Sequence, residues 1–170
     1  MSTDSVNEIV SFWTERFDRI EPGSHHSQEL EYFKIEASPT LENITSTFLC
    51  REARSEEVVA GWVKGNVIDF SGDPVTEGLD LELRITLKRK ELKSRILRVR
   101  FYLKDTAVVQ FFSQTDDRFL GEVNATPGIV DFTVPDITRH EIGRVSIYYT
   151  ASFGGPLLDT VEGFGWDPTD

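Results

Sequence analysis

Arg98, Arg100 and Tyr102 stand at alternate positions of the run RILRVRFYLK, residues 95–104. In an extended chain successive side chains point to opposite sides, so positions i, i+2 and i+4 share a face. Two planar guanidiniums and a phenol ring on one face suit recognition better than bond-breaking. A guanidinium donates in a fixed fork to carboxylate, phosphate or hydroxyl oxygens. An aromatic ring offers a flat apolar surface on which a sugar can stack. Tyr148 falls on the polar side of a second alternating run, residues 144–153, and would join the group if the two strands are neighbours. Trp62 and Trp166 are further stacking rings, although tryptophan in a sandwich more often belongs to the core. The expected ligand-binding set is therefore Arg98, Arg100, Tyr102, Tyr148 and Trp62.

Reactive constellations are missing from the sequence. It holds no G-x-x-x-x-G-K-[ST] loop, no G-x-G-x-x-G, no H-E-x-x-H and no G-x-S-x-G elbow. His25 and His26 are adjacent on a polar stretch without the third and fourth ligands a zinc site needs. His140 stands alone in a polar segment before Gly143. Residues 69–73 match a calcium loop only loosely, without its spacing or closing glutamate. Two N-x-[ST] sequons, at Asn43 and Asn124, add no chemistry in a chain expected to stay inside the cell. The expectation is a non-catalytic protein with no cofactor and no metal.

Alternation also defines the elements that hold these residues. Over residues 79–88 and again over 97–104, apolar and charged residues take turns, which predicts two half-buried strands. Joined by a short charged segment, they read as an antiparallel hairpin. Further strands are expected at 30–36, 57–64, 66–70, 106–113, 118–123, 129–134, 144–153 and 157–166, divided by turn signals such as Ser71-Gly72-Asp73-Pro74 and Gly154-Gly155-Pro156. The fold class is mainly β: an immunoglobulin-like or jelly-roll antiparallel β-sandwich over residues 57–170. Residues 1–56 read as an N-terminal amphipathic helix followed by an irregular arm. The helix is expected over 5–20, with Ser5 and Glu8 as a capping box and Val6, Ile9, Val10, Trp13, Phe17 and Ile20 on one stripe.

The 170 residues carry 18 Lys/Arg against 29 Asp/Glu, a formal charge of −11. That balance excludes general nucleic-acid binding, which needs a net basic surface. Nine of the 18 basic residues nevertheless fall between Arg84 and Lys104, beside a single acid, Glu91. Such a basic island on an acidic body suits a small or linear anionic ligand; the plainer alternative is a strand face whose charges discourage edge pairing. No apolar run reaches the ~20 residues of a membrane span, so no membrane insertion is expected. The first residues lack the basic and apolar regions of a signal peptide, and Cys50 is the single cysteine. Both features point to a cytoplasmic location.

From about residue 57 onward the chain resembles the carbohydrate-recognition domain at the C-terminus of the ATPase subunit of O-antigen ABC transporters, the Wzt C-terminal family. The segments that carry the resemblance are Gly72-Asp73-Pro74-Val75 with Glu77-Gly78, Phe111-Phe112-Ser113-Gln114-Thr115, the strand at 130–134 running into Pro135, Gly143 opening the strand to Tyr149, and Leu158-Asp159-Thr160-Val161 through Phe164 and Trp166. The resemblance implies a β-sandwich that binds the end of a bacterial surface polysaccharide in the cytoplasm before export, and that pairs as a homodimer. The family domain normally follows an ATPase, and this chain has no Walker motif. Two functions from different classes are thus expected: glycan recognition, or an interaction and assembly module in which the stripe at 5–20 docks on a partner or a second copy.

Overall fold

The computed structural model describes residues 9–39, 47–69, 80–88, 95–104, 106–150 and 157–166. Within them lie β1 (Ile9–Glu15), β2 (Gly23–His25), β3 (Ser27–Glu29), β4 (Phe33–Pro39), β5 (Phe48–Glu52), β6 (Asn66–Asp69), β7 (Asp80–Leu87), β8 (Ile96–Leu103), β9 (Ala107–Ser113), β10 (Phe119–Ala125), β11 (Gly128–Thr133), β12 (Ile142–Thr150) and β13 (Leu157–Trp166). They form two antiparallel sheets. The first runs β11-β8-β13-β6-β5-β2, with β1 also paired to β13; the second runs β10-β9-β12-β7-β4-β3. Strands before residue 57 hydrogen-bond into both sheets, β1 to β13, β5 to β6 and β4 to β7. No helix among the described residues is long and apolar enough to cross a membrane.

The two sheets share one core. From the first sheet, β8 buries Leu97, Val99, Phe101 and Leu103, while Arg98, Arg100 and Tyr102 stay half-buried on its outer side. From the second, β9 contributes Val109 and Phe111, and β12 contributes Val145, Ile147 and Tyr149. Phe17, Phe33, Phe48, Phe101 and Phe111 are fully buried, each stabilising the fold by about 2–3 kcal/mol relative to exposure.

The expected helix at 5–20 is not present. Residues 9–15 are β1, and residues 17–19 form a single 3-10 turn; residues 5–8, which hold the capping box, lie outside the described residues. Tertiary packing overrides the helical spacing. The register of β1 against β13 shifts between Ser11 and Trp13, and both Phe12 and Trp13 pack against the core. The partner strand makes room with two glycines: a Cβ at Gly163 would meet the Trp13 ring at 2.4 Å, and one at Gly165 would meet Phe12 at 2.2 Å. Trp13 then lies flat on Tyr32, with centroids 5.0 Å apart and 4° between planes.

The hairpin expected over 79–104 is also corrected. β7 pairs with β4 and β12 in one sheet, and β8 pairs with β11 and β13 in the other. The chain changes layers between them. Alternation specifies which face is buried and is silent about the neighbour, and the segment between these strands holds no Gly, Pro or Asn to mark a tight turn. The strand expected at 57–64 is instead a 3-10 turn at 55–57 and a compact turn closed by the Val59–Val63 bridge.

Candidate ligand-binding face

The outer side of β8 gathers a layered set of side chains. On one flank β11 presents Asp131, which accepts from Arg98 Nε at 2.8 Å and from Arg98 Nη2 in a bidentate pair. These hydrogen bonds hold the Arg98 guanidinium above its ordinary pKa. On the other flank β13 presents Glu162, whose Oε1 accepts from Arg100 Nε at 3.2 Å and Nη2 at 2.9 Å. Phe164, also from β13, lies against both guanidiniums, 4.9 Å from Arg98 and 5.0 Å from Arg100. Trp62 stands 5.3 Å from Arg100. Trp62, Arg100, Phe164 and Arg98 thus alternate rings and cations along the face, with Phe164 buried beneath the two guanidiniums and Trp62 half-buried. Tyr102 joins Trp62 in a small apolar cluster with Val63, Val67 and Leu157, separate from the main core.

Four of the five expected residues, Arg98, Arg100, Tyr102 and Trp62, therefore lie together. Tyr148 does not join them. It sits on β12 in the opposite sheet, in register with Glu82 and Val108. Its strand is not a neighbour of β8, and alternation alone places any outward residue on one of two outer faces. The side chain of Trp166 lies outside the described residues.

Among the described residues of the positive island, Arg84, Lys88, Arg98 and Arg100 have carboxylate partners. Arg84 donates twice to Glu82 at 3.0 Å, and Lys88 reaches Glu29 at 3.2 Å. Arg98 and Arg100 are paired as above, and Arg95 donates to the His140 carbonyl at 3.2 Å. Arg89, Lys90 and Lys93 lie outside the described residues. The face is thus a set of oriented donors and acceptors with little net charge. Sequence reasoning missed Asp131, Glu162 and Phe164. The signal was present as GIVDFT and VEGFGW, where these residues alternate outward, but strand neighbours were needed to join them to β8.

One turn completes the face. Trp62 is carried by residues 59–65, a loop flanked by Gly61 and Gly65 at φ +80° and +71°. The Trp62 and Val63 N–H groups both return to the Val59 carbonyl, at 2.9 and 2.8 Å. The loop is pinned to an irregularity in β13, whose register against β8 shifts between Asp159 and Glu162. There Thr160 adopts φ +52°, a left-handed conformation that is rare for a β-branched residue. Thr160 donates its hydroxyl to the Trp62 carbonyl at 2.6 Å. Asp159, 0% exposed, accepts from the Lys64 N–H at 3.0 Å and the Thr160 N–H at 2.7 Å. Burial pushes the Asp159 carboxyl up to about 6 against these donors. Beyond the loop opens a cleft of about 540 Å3, lined by Arg16, Asp18, Glu52, Ala53, Val58 and Lys64 with Gly65. Among the described residues no group of three His, Cys, Asp or Glu side chains is placed to hold a metal ion.

No family model matches the chain, and no curated protein matches it. Among solved structures it is similar to the crystal structure of the enzymatically active domain of tailspike protein 4 from bacteriophage CBA120, at 12% identity and a TM-score of 0.37, over 87% of this chain and 20% of that one. The chain spans about a fifth of that neighbour's length. At this level the likeness carries no argument about function.

Proposed function

We propose that this chain is a non-catalytic glycan-binding domain whose ligand lies on the outer face of β8. The carrying observation is the stack of Trp62, Arg100, Phe164 and Arg98, flanked by Asp131 and Glu162. Sugars bind through ring faces stacked on aromatics and through hydroxyls held by paired donors and acceptors. Ion pairing presets those groups, which lowers the ordering cost of binding. Because the arginines already have carboxylate partners, the face favours a hydroxyl-rich neutral sugar over a polyanion, and binding should depend only weakly on salt. The strand orders β6-β13-β8-β11 and β7-β12-β9-β10 favour a jelly roll over an immunoglobulin arrangement, an architecture shared with lectins. By the resemblance to the transporter domain, the glycan would be an O-antigen-like bacterial polysaccharide, met in the cytoplasm before export by a dimer.

The test is a glycan array that includes bacterial O-polysaccharides, probed with the purified chain and with the Arg98→Ala, Arg100→Ala double variant. Specific binding lost by at least tenfold in a folded double variant supports the reading; unchanged binding in that variant moves the ligand elsewhere. A second reading, an assembly module, is favoured by Phe119 on β10 and Ile129 on β11, 53% and 51% exposed on strands at one margin of the two sheets. It predicts an oligomer that dissociates when these two residues are made polar. The stripe expected to dock is not free as a unit, since Phe17 is fully buried and Trp13 is half-buried against the core.

A further inference from the structure

The glycan face depends on one turn. Residues 59–65 reach the main body through the small cluster of Val63, Val67 and Leu157, through the Thr160 hydroxyl, through the buried Asp159 carboxylate and through the Gly65 carbonyl, which accepts from the Ala53 N–H at 2.7 Å. Satellite clusters of this kind open at lower free energy than the core. Gly61, at positive φ with nothing packed against it, gives the loop a point of backbone freedom, whereas Gly65 is held against Asp18 at the edge of the cleft. Opening would carry Trp62 away from Arg100 and expose Asp159 to water.

We propose that Asp159 and Thr160 are positioning residues for Trp62, and that the proton on the Asp159 carboxyl sets how tightly the turn closes on the ligand face. The proposal deepens the glycan reading and rests on it only for the consequence to binding. The groups around Asp159 are Arg16 and Asp18 from the segment after β1, the Cys50 thiol of β5, and the Lys64 and Thr160 backbone N–H groups; Tyr102 is its register partner on β8. Arg16 and the two N–H donors favour the charged form, Asp18 opposes it, and burial opposes it most strongly. The sign follows from linkage. In the closed turn the carboxyl titrates near 6, and once hydrated it returns toward 3.8. The closed state therefore holds the proton more tightly. Closure is strongest in acid and weakens as the pH rises through 6, by roughly 30-fold between pH 4.5 and 7.5.

Amide hydrogen exchange by NMR on the full chain reads this directly. After correction for intrinsic exchange, protection at Lys64 and Thr160 should fall roughly 30-fold from pH 4.5 to 7.5, with Val99 and Ile147 in the core changing far less. Asp159→Asn should flatten that profile. A flat wild-type profile at Lys64, or one that merely follows Val99 and Ile147, overturns the proposal. If Asp159→Asn does not fold, the carbon resonance of the wild-type Asp159 carboxyl decides instead: a midpoint near 6 supports the proposal and one near 3.8 overturns it. No sugar is needed for these measurements. A pH-dependent turn with a blank array rejects the glycan reading and keeps the role of Asp159 in closing the turn; a flat profile with sugar binding does the reverse.

Discussion

Arg51 shows what a partly buried charge does for this fold. Its guanidinium donates to both oxygens of Glu57, at 2.7 and 2.8 Å, and to Asp69 at 2.9 Å. Hydrogen bonding from Arg51 brings Glu57 down to about 2 despite its burial. A carboxyl lowered in this way contributes stability that is present above its unfolded value of 4.5 and lost as the pH falls toward 2. Removing the cation leaves two buried carboxylates without it, so Arg51→Met should lower unfolding free energy by about 3 kcal/mol at pH 7. The deficit should shrink at pH 3, where the carboxyls of the variant protonate; urea titrations at the two pH values check both. Asp159 has the opposite sign, because its value is raised. Which way Arg98, Arg100 and Tyr102 point was legible in the sequence, since alternation needs no knowledge of neighbours. The arginines' partners Asp131 and Glu162 lie 33 and 62 positions away and could not be assigned without the sheet order.

β13 is the element that joins the molecule. Its ten residues border β8 along one side, and β6 then β1 along the other. Asp159 and Thr160 sit where the second neighbour changes, which is also where the Trp62 turn attaches. The sequence delimits β13 at 157–166 with the same bounds as the structure, because Gly154-Gly155-Pro156 ends what precedes it. The glycines inside it are less readable. Gly163 resembles a strand defect until the Trp13 ring is placed against it. Gly163→Ala would put a methyl group 2.4 Å from that ring, and should destabilise the protein by about 1–3 kcal/mol. The loss should show as a lower midpoint in thermal unfolding, and an unchanged midpoint would mean that β1 is not docked there. The misread helix has the same origin. Spacings of three and four at Val10, Trp13 and Phe17 satisfy a helix, but a bulged strand beside two glycines buries the same rings.

At the scale of the whole molecule, the acidic composition meets the basic island in ion pairs at Arg84, Lys88, Arg98 and Arg100. The two sheets enclose the apolar sides of the strands, and the surface left outside β8 is paired, aromatic and nearly neutral. The sandwich class was readable because most strands carry their own alternation and their own turn signals. The pairing across layers was not, because antiparallel strands of equal pattern are interchangeable until the core is assembled. The central claim is that this outer face binds sugar. The most direct test is titration of the purified chain, and of Trp62→Ala beside it, with the glycan that scores highest on an array, at low and moderate salt. The account predicts saturable binding that changes little with salt and weakens at least tenfold in a folded Trp62→Ala variant. Equal affinity in the two proteins, or binding that collapses with salt, would contradict it.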